Sequence, residues 1–140
     1  MLTDILIASR GEASTILEQY PQRRDWPRLE LKGLDNAKLA ALLEALGASA
    51  EAPALEGEGC LVASRKEGPW VFVLPTALRD LLANLPEGEF RAVAERWAAH
   101  EELAFDEWTA DDVEPGIGML KEQAKKSAAS GKDLLLWMSL

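Results

Sequence analysis

The first apolar run, residues 2–8 (Leu-Thr-Asp-Ile-Leu-Ile-Ala), is rich in Ile and Leu and predicts a strand. Ser9 stands three residues before Glu12, the spacing of a capping box, so a helix opens there with Ala13, Ile16, Leu17 and Tyr20 as its buried stripe. Pro21 ends it, and a polar loop follows that carries the adjacent Arg23 and Arg24 and then Trp26. Residues 28–32 alternate Arg-Leu-Glu-Leu-Lys, a half-exposed strand with Leu29 and Leu31 facing inward. Gly33 closes it. Asp35 is a good cap for the next helix, Leu34 and Leu39 stand where a hydrophobic staple puts them, and Leu39, Leu42, Leu43 and Leu46 repeat at helical spacing up to Gly47. Residues 48–59 hold small residues, Pro53, two glycines and three glutamates, the composition of a mobile surface loop. Residues 60–64 and 70–74 then predict a hairpin, and the uninterrupted Trp-Val-Phe-Val-Leu of its second strand suits burial on both faces.

In the second half, Pro75 stops that strand and Thr76 caps a short helix with Leu78, Leu81, Leu82 and Leu85. Pro86-Glu87-Gly88 breaks the chain before a helix predicted over 89–105. Its apolar face holds Phe90, Val93, Ala94, Trp97 and Ala104. Thr109 and Asp112 form a second capping box, with Trp108 and Val113 as its staple. Pro115 comes so soon after that one turn and then a kink or restart is expected. Ile117, Leu120 and Ala124 continue the buried stripe as far as Gly131, and residues 133–140 are a final apolar strand that must be tied into the sheet. The pattern predicts an α+β fold: a single domain, residues 1–140, with a mixed sheet of about five strands and helices packed on it, in the order β-α-β-α-β-β-α-α-α-β. The central strand is expected at 70–74, or at 133–140 beside it.

Composition narrows the function classes. A net charge of −9 and a pI near 4.6 argue against non-specific binding to nucleic acid or to an anionic membrane surface, and they permit a basic partner. The single cysteine rules out an intrachain disulfide and suits a reducing compartment. The apolar run at 2–8 has no basic region before it, so it reads as a strand and not as a signal peptide. No apolar segment approaches the roughly 20 residues of a membrane span. A cytoplasmic location follows as the expectation, and the Ala, Leu and Arg content has a high-GC bacterial character.

Candidate chemistry is sparse. Gly57-Glu58-Gly59 lacks the third glycine of a nucleotide-binding fingerprint, and one Cys with one His cannot build a standard zinc site. No cofactor or metal is expected; the acids near 101–114 lack the spacing of a calcium loop. Cys60 and His100 lie on different elements with no spacing that pairs them. The one catalytic candidate is His100 with Glu101. On a continuous helix Glu101 falls within the apolar stripe, where burial raises a carboxyl pKa beside an imidazole, the arrangement of a general acid/base pair. The bland counterpart is a helix that frays near His100 and leaves Glu101 wet, or a Glu101 paired with an arginine. Of the five tryptophans, Trp70, Trp97 and Trp137 read as core. Trp26 and Trp108, in a loop and at a helix cap, are pocket or interface candidates, together with Asp111 and Asp112.

The C-terminal quarter, with Leu120-Lys121, Ala124-Lys125-Lys126, Gly131-Lys132 and Leu134-Leu135-Leu136-Trp137, resembles the ending of small bacterial cytoplasmic proteins of unknown function that pair a long last helix with a final hydrophobic strand. The resemblance implies a small cytoplasmic α/β protein and no activity. Acidic charge, small size and the lack of a catalytic motif set the expectation of a non-enzymatic protein-interaction domain, inhibitor- or immunity-like, with a basic partner or a second copy of itself. The alternatives are a small-molecule binding domain with a cleft near Trp26 and Trp108, and an enzyme using Glu101 and His100.

Overall fold

The computed structural model describes residues 1–140, and the C-terminal strand lies at its centre. The strands β1 (Leu2–Ala8), β2 (Arg28–Glu30), β3 (Leu61–Ser64), β4 (Trp70–Val73) and β5 (Asp133–Ser139) form one sheet in the order β2-β1-β5-β4-β3. β5 pairs with β1 from Ser139 opposite Leu2 to Asp133 opposite Ala8, and with β4 from Met138 opposite Trp70 to Leu135 opposite Val73. The long apolar ending is thus paired along both of its edges. Every neighbouring pair is antiparallel, so the expected mixed sheet is corrected to an antiparallel one. A strand buried on both faces has the same apolar signature in either direction, and its pattern does not give the sense of its neighbours.

Seven helices accompany the sheet: α1 (Ala13–Gln19), α2 (Asn36–Ala45), α3 (Ala52–Glu56), α4 (Thr76–Ala83), α5 (Phe90–Ala99), α6 (Glu101–Ala104) and α7 (Ala110–Ser130). The period-2 alternation of the strands divides them between two faces. Ile5, Ile7, Phe72, Leu134, Leu136 and Met138 meet the buried stripes of α2 to α7 in the larger core. Leu6, Ala8, Val71, Leu135 and Trp137 point the other way, into a small core closed by α1, Tyr20 and Trp26. One face is thick and helical; the other is a single thin layer.

The residues expected as a mobile loop, 48–59, fold as a turn at Ser49–Glu51 followed by α3. Ala52 and Leu55 are buried, Pro53 occupies the first turn where its missing N–H costs nothing, and Asn36 Nδ2 donates to the Leu55 and Glu56 carbonyls at 3.0 Å each. Composition alone hid a helix whose end is satisfied by a side chain from α2. The expected restart at Pro115 is corrected: α7 is one continuous helix through it, from its Thr109 cap to Gly131 in the left-handed region at φ 67°. The carbonyl that Pro115 leaves without an intrahelical donor belongs to Asp111, an exposed residue in the first turn, where water can answer it. Buried Gln123 ties α7 to the sheet by donating to Ile5 O at 2.9 Å and Pro27 O at 3.2 Å.

Candidate functional site

The helix expected over 89–105 breaks at His100, whose backbone turns extended at φ −67°, ψ 140°. The imidazole then caps α6. Its Nδ1 accepts from the Glu102 N–H at 3.1 Å, so the neutral ring carries its hydrogen on Nε2, which lies 2.6 Å from Glu44 Oε2 on α2. Both ring nitrogens are occupied by structural partners. The break also rotates Glu101 off the apolar face. Glu101 is exposed in the first turn of α6, where an acid is favoured by the helix N-terminus. The geometric premise of a buried Glu101 beside His100 is corrected on this ground: the periodic stripe was projected across a residue that ends one helix and starts another.

Beyond α6 the chain makes a tight corner. Phe105 stands at its tip, 88% exposed, and Glu107 takes a left-handed φ of 59° so that the Trp108 N–H can reach back to Leu103 O at 3.0 Å. Lys38, only 5% exposed, braces this corner from α2. Its Nζ lies 2.7 Å from Asp106 Oδ2, 3.7 Å from Asp35 Oδ2 and 5.1 Å from the centre of the Trp108 ring, and its backbone carbonyl accepts from Trp97 Nε1 at 2.9 Å. A buried cation is tolerated when partners surround it in this way.

The corner opens onto a cleft of about 530 Å³ between the end of β2 and α7. Leu34, Trp97, Val113 and Leu120 form an apolar lining; Trp108 is one wall; Glu30, Lys32 and Asp112 supply the charged groups. The Trp108 ring packs beside Gly33, whose left-handed φ of 81° favours glycine; a Cβ there would stand at ordinary contact distance, 3.4 Å, from the ring. Asp112 is held by the Thr109 N–H at 2.8 Å and the Thr109 hydroxyl at 2.9 Å, and these bonds draw its carboxyl below the usual range. Asp111 instead pairs with Arg91 of α5 and does not line the cleft.

Trp26 belongs elsewhere. It is 5% exposed in the thin core, its Nε1 donates to Glu12 Oε2 at 2.9 Å, and the Arg23 guanidinium lies 4.8 Å over its ring. That bond, with a second from the Ser9 N–H, pulls Glu12 below the ordinary carboxylate range. The expected cleft shared by Trp26 and Trp108 is therefore corrected: the two rings sit in different cores. A loop tryptophan beside a capping-box glutamate had a structural partner that spacing alone did not reveal.

Two groups outside the expected set, Asp4 and Tyr20, are displaced together. Asp4 of β1 is 9% exposed and receives a hydrogen bond from the Tyr20 hydroxyl. Burial pushes its carboxyl up, the Tyr20 bond partly opposes that, and Glu30, directly opposite in register, adds to it. Burial and then Asp4 itself push the Tyr20 phenol up. The signal was an aspartate inside an otherwise apolar strand, which costs free energy unless partnered. Cys60 is buried, and burial raises its thiol. No group of three or more His, Cys, Asp and Glu side chains is placed to hold a metal ion, and no helix is long and apolar enough to cross a membrane. Comparison with protein-family models, with curated proteins and with solved structures yields no match.

Proposed function

We propose that this is a non-catalytic interaction domain, inhibitor- or immunity-like, whose contact surface is the corner between α6 and α7 and whose partner presents a basic patch. The observation that carries the reading is Phe105, a large aromatic 88% exposed at the tip of a well-braced turn. Aromatic anchors of this kind are enriched among residues that dominate binding energy. Around it, Glu101 and Glu107 are exposed and Glu102 half-buried, and the whole chain carries −9, so a basic partner would be steered to this corner. The adjacent Trp108 cleft can take an apolar side chain from the partner beside Phe105. A cytoplasmic setting fits the single, buried cysteine.

A photo-crosslinking residue in place of Phe105 tests this in the cell of origin, with the same residue at exposed Gln22 as the control. A discrete adduct is expected from position 105 alone, and it should be lost in the Glu101→Lys/Glu107→Lys variant. Asp106 is left intact in that variant because it holds Lys38. No adduct from position 105, or one indifferent to charge reversal, overturns the reading; an adduct of doubled chain mass makes the partner a second copy.

A further inference from the structure

His100 is the chain's one histidine, and the corner that presents Phe105 begins at it. The two nitrogens of its ring have unlike duties. Nε2 carries the hydrogen and gives it to Glu44 of α2, 2.6 Å away, while Nδ1 accepts from the Glu102 N–H at 3.1 Å. A ring turned over would set C–H groups against both partners, so the two contacts together fix its orientation and its tautomer. The imidazole side chain is 28% exposed, within reach of protons from solvent.

The short helix α6 depends on this bond more than a long helix would. It has four residues, Glu101–Ala104. The Leu103 and Ala104 N–H groups go to the His100 carbonyl at 3.0 Å each, and the Glu102 N–H goes to the imidazole. The bonds that shape the corner follow directly on this turn: Phe105 N–H to Glu101 O at 2.9 Å, and Trp108 N–H to Leu103 O at 3.0 Å.

A protonated imidazole has a hydrogen on each nitrogen and nothing left to accept with. Nδ1 then faces the Glu102 N–H donor to donor. Nε2 changes the other way, because its bond to Glu44 becomes a charge-assisted pair and strengthens. Glu44 therefore keeps the ring in place, and the first turn of α6 has to give. The other charged groups on the three elements that meet there leave this trade standing. Arg96 of α5 is committed to Ala45 O at 2.9 Å, and Lys38 of α2 is held by Asp35 and Asp106. Glu101 and Glu102 belong to the turn that Nδ1 faces and move with it. We propose that His100 is a proton-operated catch on the Phe105 corner: neutral, it caps α6, and protonated, it stays with Glu44 and lets α6 go. Buried Leu103 and the Lys38–Asp106 pair remain, so the corner loosens without unfolding. The catch works whatever the corner binds. Its consequence, contact through Phe105 favoured near neutral pH and weakened in acid, rests on the reading given above.

The test follows the full chain by nitrogen-proton spectra from about pH 8 to about pH 5.5, across the ordinary histidine range and above that of carboxylates. The His100 ring resonances report its tautomer and its titration. The Glu102 N–H, and with it the amides from Leu103 to Trp108, should shift along the same curve. Protection of the Glu102 N–H, corrected for the intrinsic exchange rate at each pH, should fall about fivefold, the usual worth of a helix cap. His100→Asn keeps an acceptor at the cap and does not titrate, so its corner should stay ordered across the range. That variant also separates His100 from the N-terminal amine and from Asp4. A Glu102 N–H indifferent to the titration of the ring overturns the proposal, as does a neutral ring with its hydrogen on Nδ1, or a corner response that survives in His100→Asn. The wild-type spectra decide the first two, so a variant that fails to fold does not remove the test. The adduct from position 105, formed in lysate at the two ends of the range, should be weaker at the acid end, and equal at both in His100→Asn. A wild-type adduct equal at both ends overturns the effect on binding. No adduct at either end sinks the Phe105 reading instead, and the spectra still decide the catch.

Discussion

The two faces of the sheet bury polar groups under different terms. On the thick face, Lys38 has Asp35, Asp106 and the Trp108 ring, Gln123 has the carbonyls of Ile5 and Pro27, and the Trp97 indole has Lys38 O. Each donor there meets an acceptor from another element: a carboxylate beyond α6, a strand carbonyl or a carbonyl of α2. On the thin face a single short helix and one loop cover the sheet. Trp26 and Glu12 satisfy one another, but Asp4 has only Tyr20, and the Trp137 indole has nothing. A multilayered core can absorb polar side chains as fasteners. A single layer brings fewer partners within reach of each of them.

The largest expected effect lies at the centre of the thick face. Trp97 is 2% exposed and touches both the helical core and the bracing lysine. Trp97→Ala should lower unfolding free energy by about 3–5 kcal/mol, read by urea titration, since it combines lost burial with a cavity. The sharper measurement is the pair Trp97→Phe and Trp137→Phe. Both remove the same volume of indole from sites at 2% and 3% exposure. Only the first removes a hydrogen bond that the fold makes, from the Trp97 indole to Lys38 O, a carbonyl inside α2 that keeps its intrahelical donor. Trp97→Phe should therefore cost about 0.5–1.5 kcal/mol more than Trp137→Phe. Equal costs would break the comparison, because they would mean that the Trp137 N–H is as well satisfied as that of Trp97.

The two faces should also answer pH with opposite signs. Burial, the largest cause, raises the Asp4 carboxyl, so the folded chain holds that proton more tightly than the unfolded one. Its contribution favours folding below the unfolded carboxyl range and is lost as pH rises through the raised folded value. Asp112, at the Trp108 cleft, is lowered by its hydrogen bonds to Thr109, so its contribution is present above the unfolded range and lost as pH falls. The stability difference between wild type and Asp4→Asn should move against the chain as pH rises. The difference between wild type and Asp112→Asn should move in its favour. Denaturant midpoints taken across the acid range check both signs, and parallel slopes would sink the contrast.

Most of the scaffold was legible because its signals are local. The strand at Leu2–Ala8, both capping boxes, the Asp35 cap and the glycine stop at 131 need only a few residues to specify them. The break at His100 was not legible as the main reading, since the apolar period runs smoothly across it and only the capping bond to Glu102, with the reach to Glu44, fixes it. Trp26 was misplaced for a related reason: its partner Glu12 already had a local duty at Ser9, and nothing local shows that one carboxylate serves both. The Asp4–Tyr20–Trp137 cluster depends on strand register, which joins residue 4 to residue 137 across the whole chain. The aspartate was visible as an oddity in an apolar strand. Its neighbours required the fold.

The smallest expected effect bears on whether the Trp108 cleft is kept open for use. Gly116 lies inside α7 and lines the cleft, and a Cβ added there meets no heavy atom within 4 Å. Glycine inside a helix costs about 0.5–1 kcal/mol relative to alanine. Its φ lies outside the left-handed region, so neither strain nor crowding requires it. Gly116→Ala should raise unfolding free energy by that amount, read from the denaturant midpoint. If stability were the only demand on the position, a larger side chain that fits the same space would be equally acceptable in every assay. If the cleft receives a partner's side chain, Gly116→Leu should fill it, keep the thermal midpoint at or above that of wild type, and reduce the adduct formed from position 105. A destabilised Gly116→Ala would show that the helix needs the glycine for packing. An undiminished adduct in a folded Gly116→Leu would confine the contact surface to Phe105 and its acidic neighbours and remove the cleft from it.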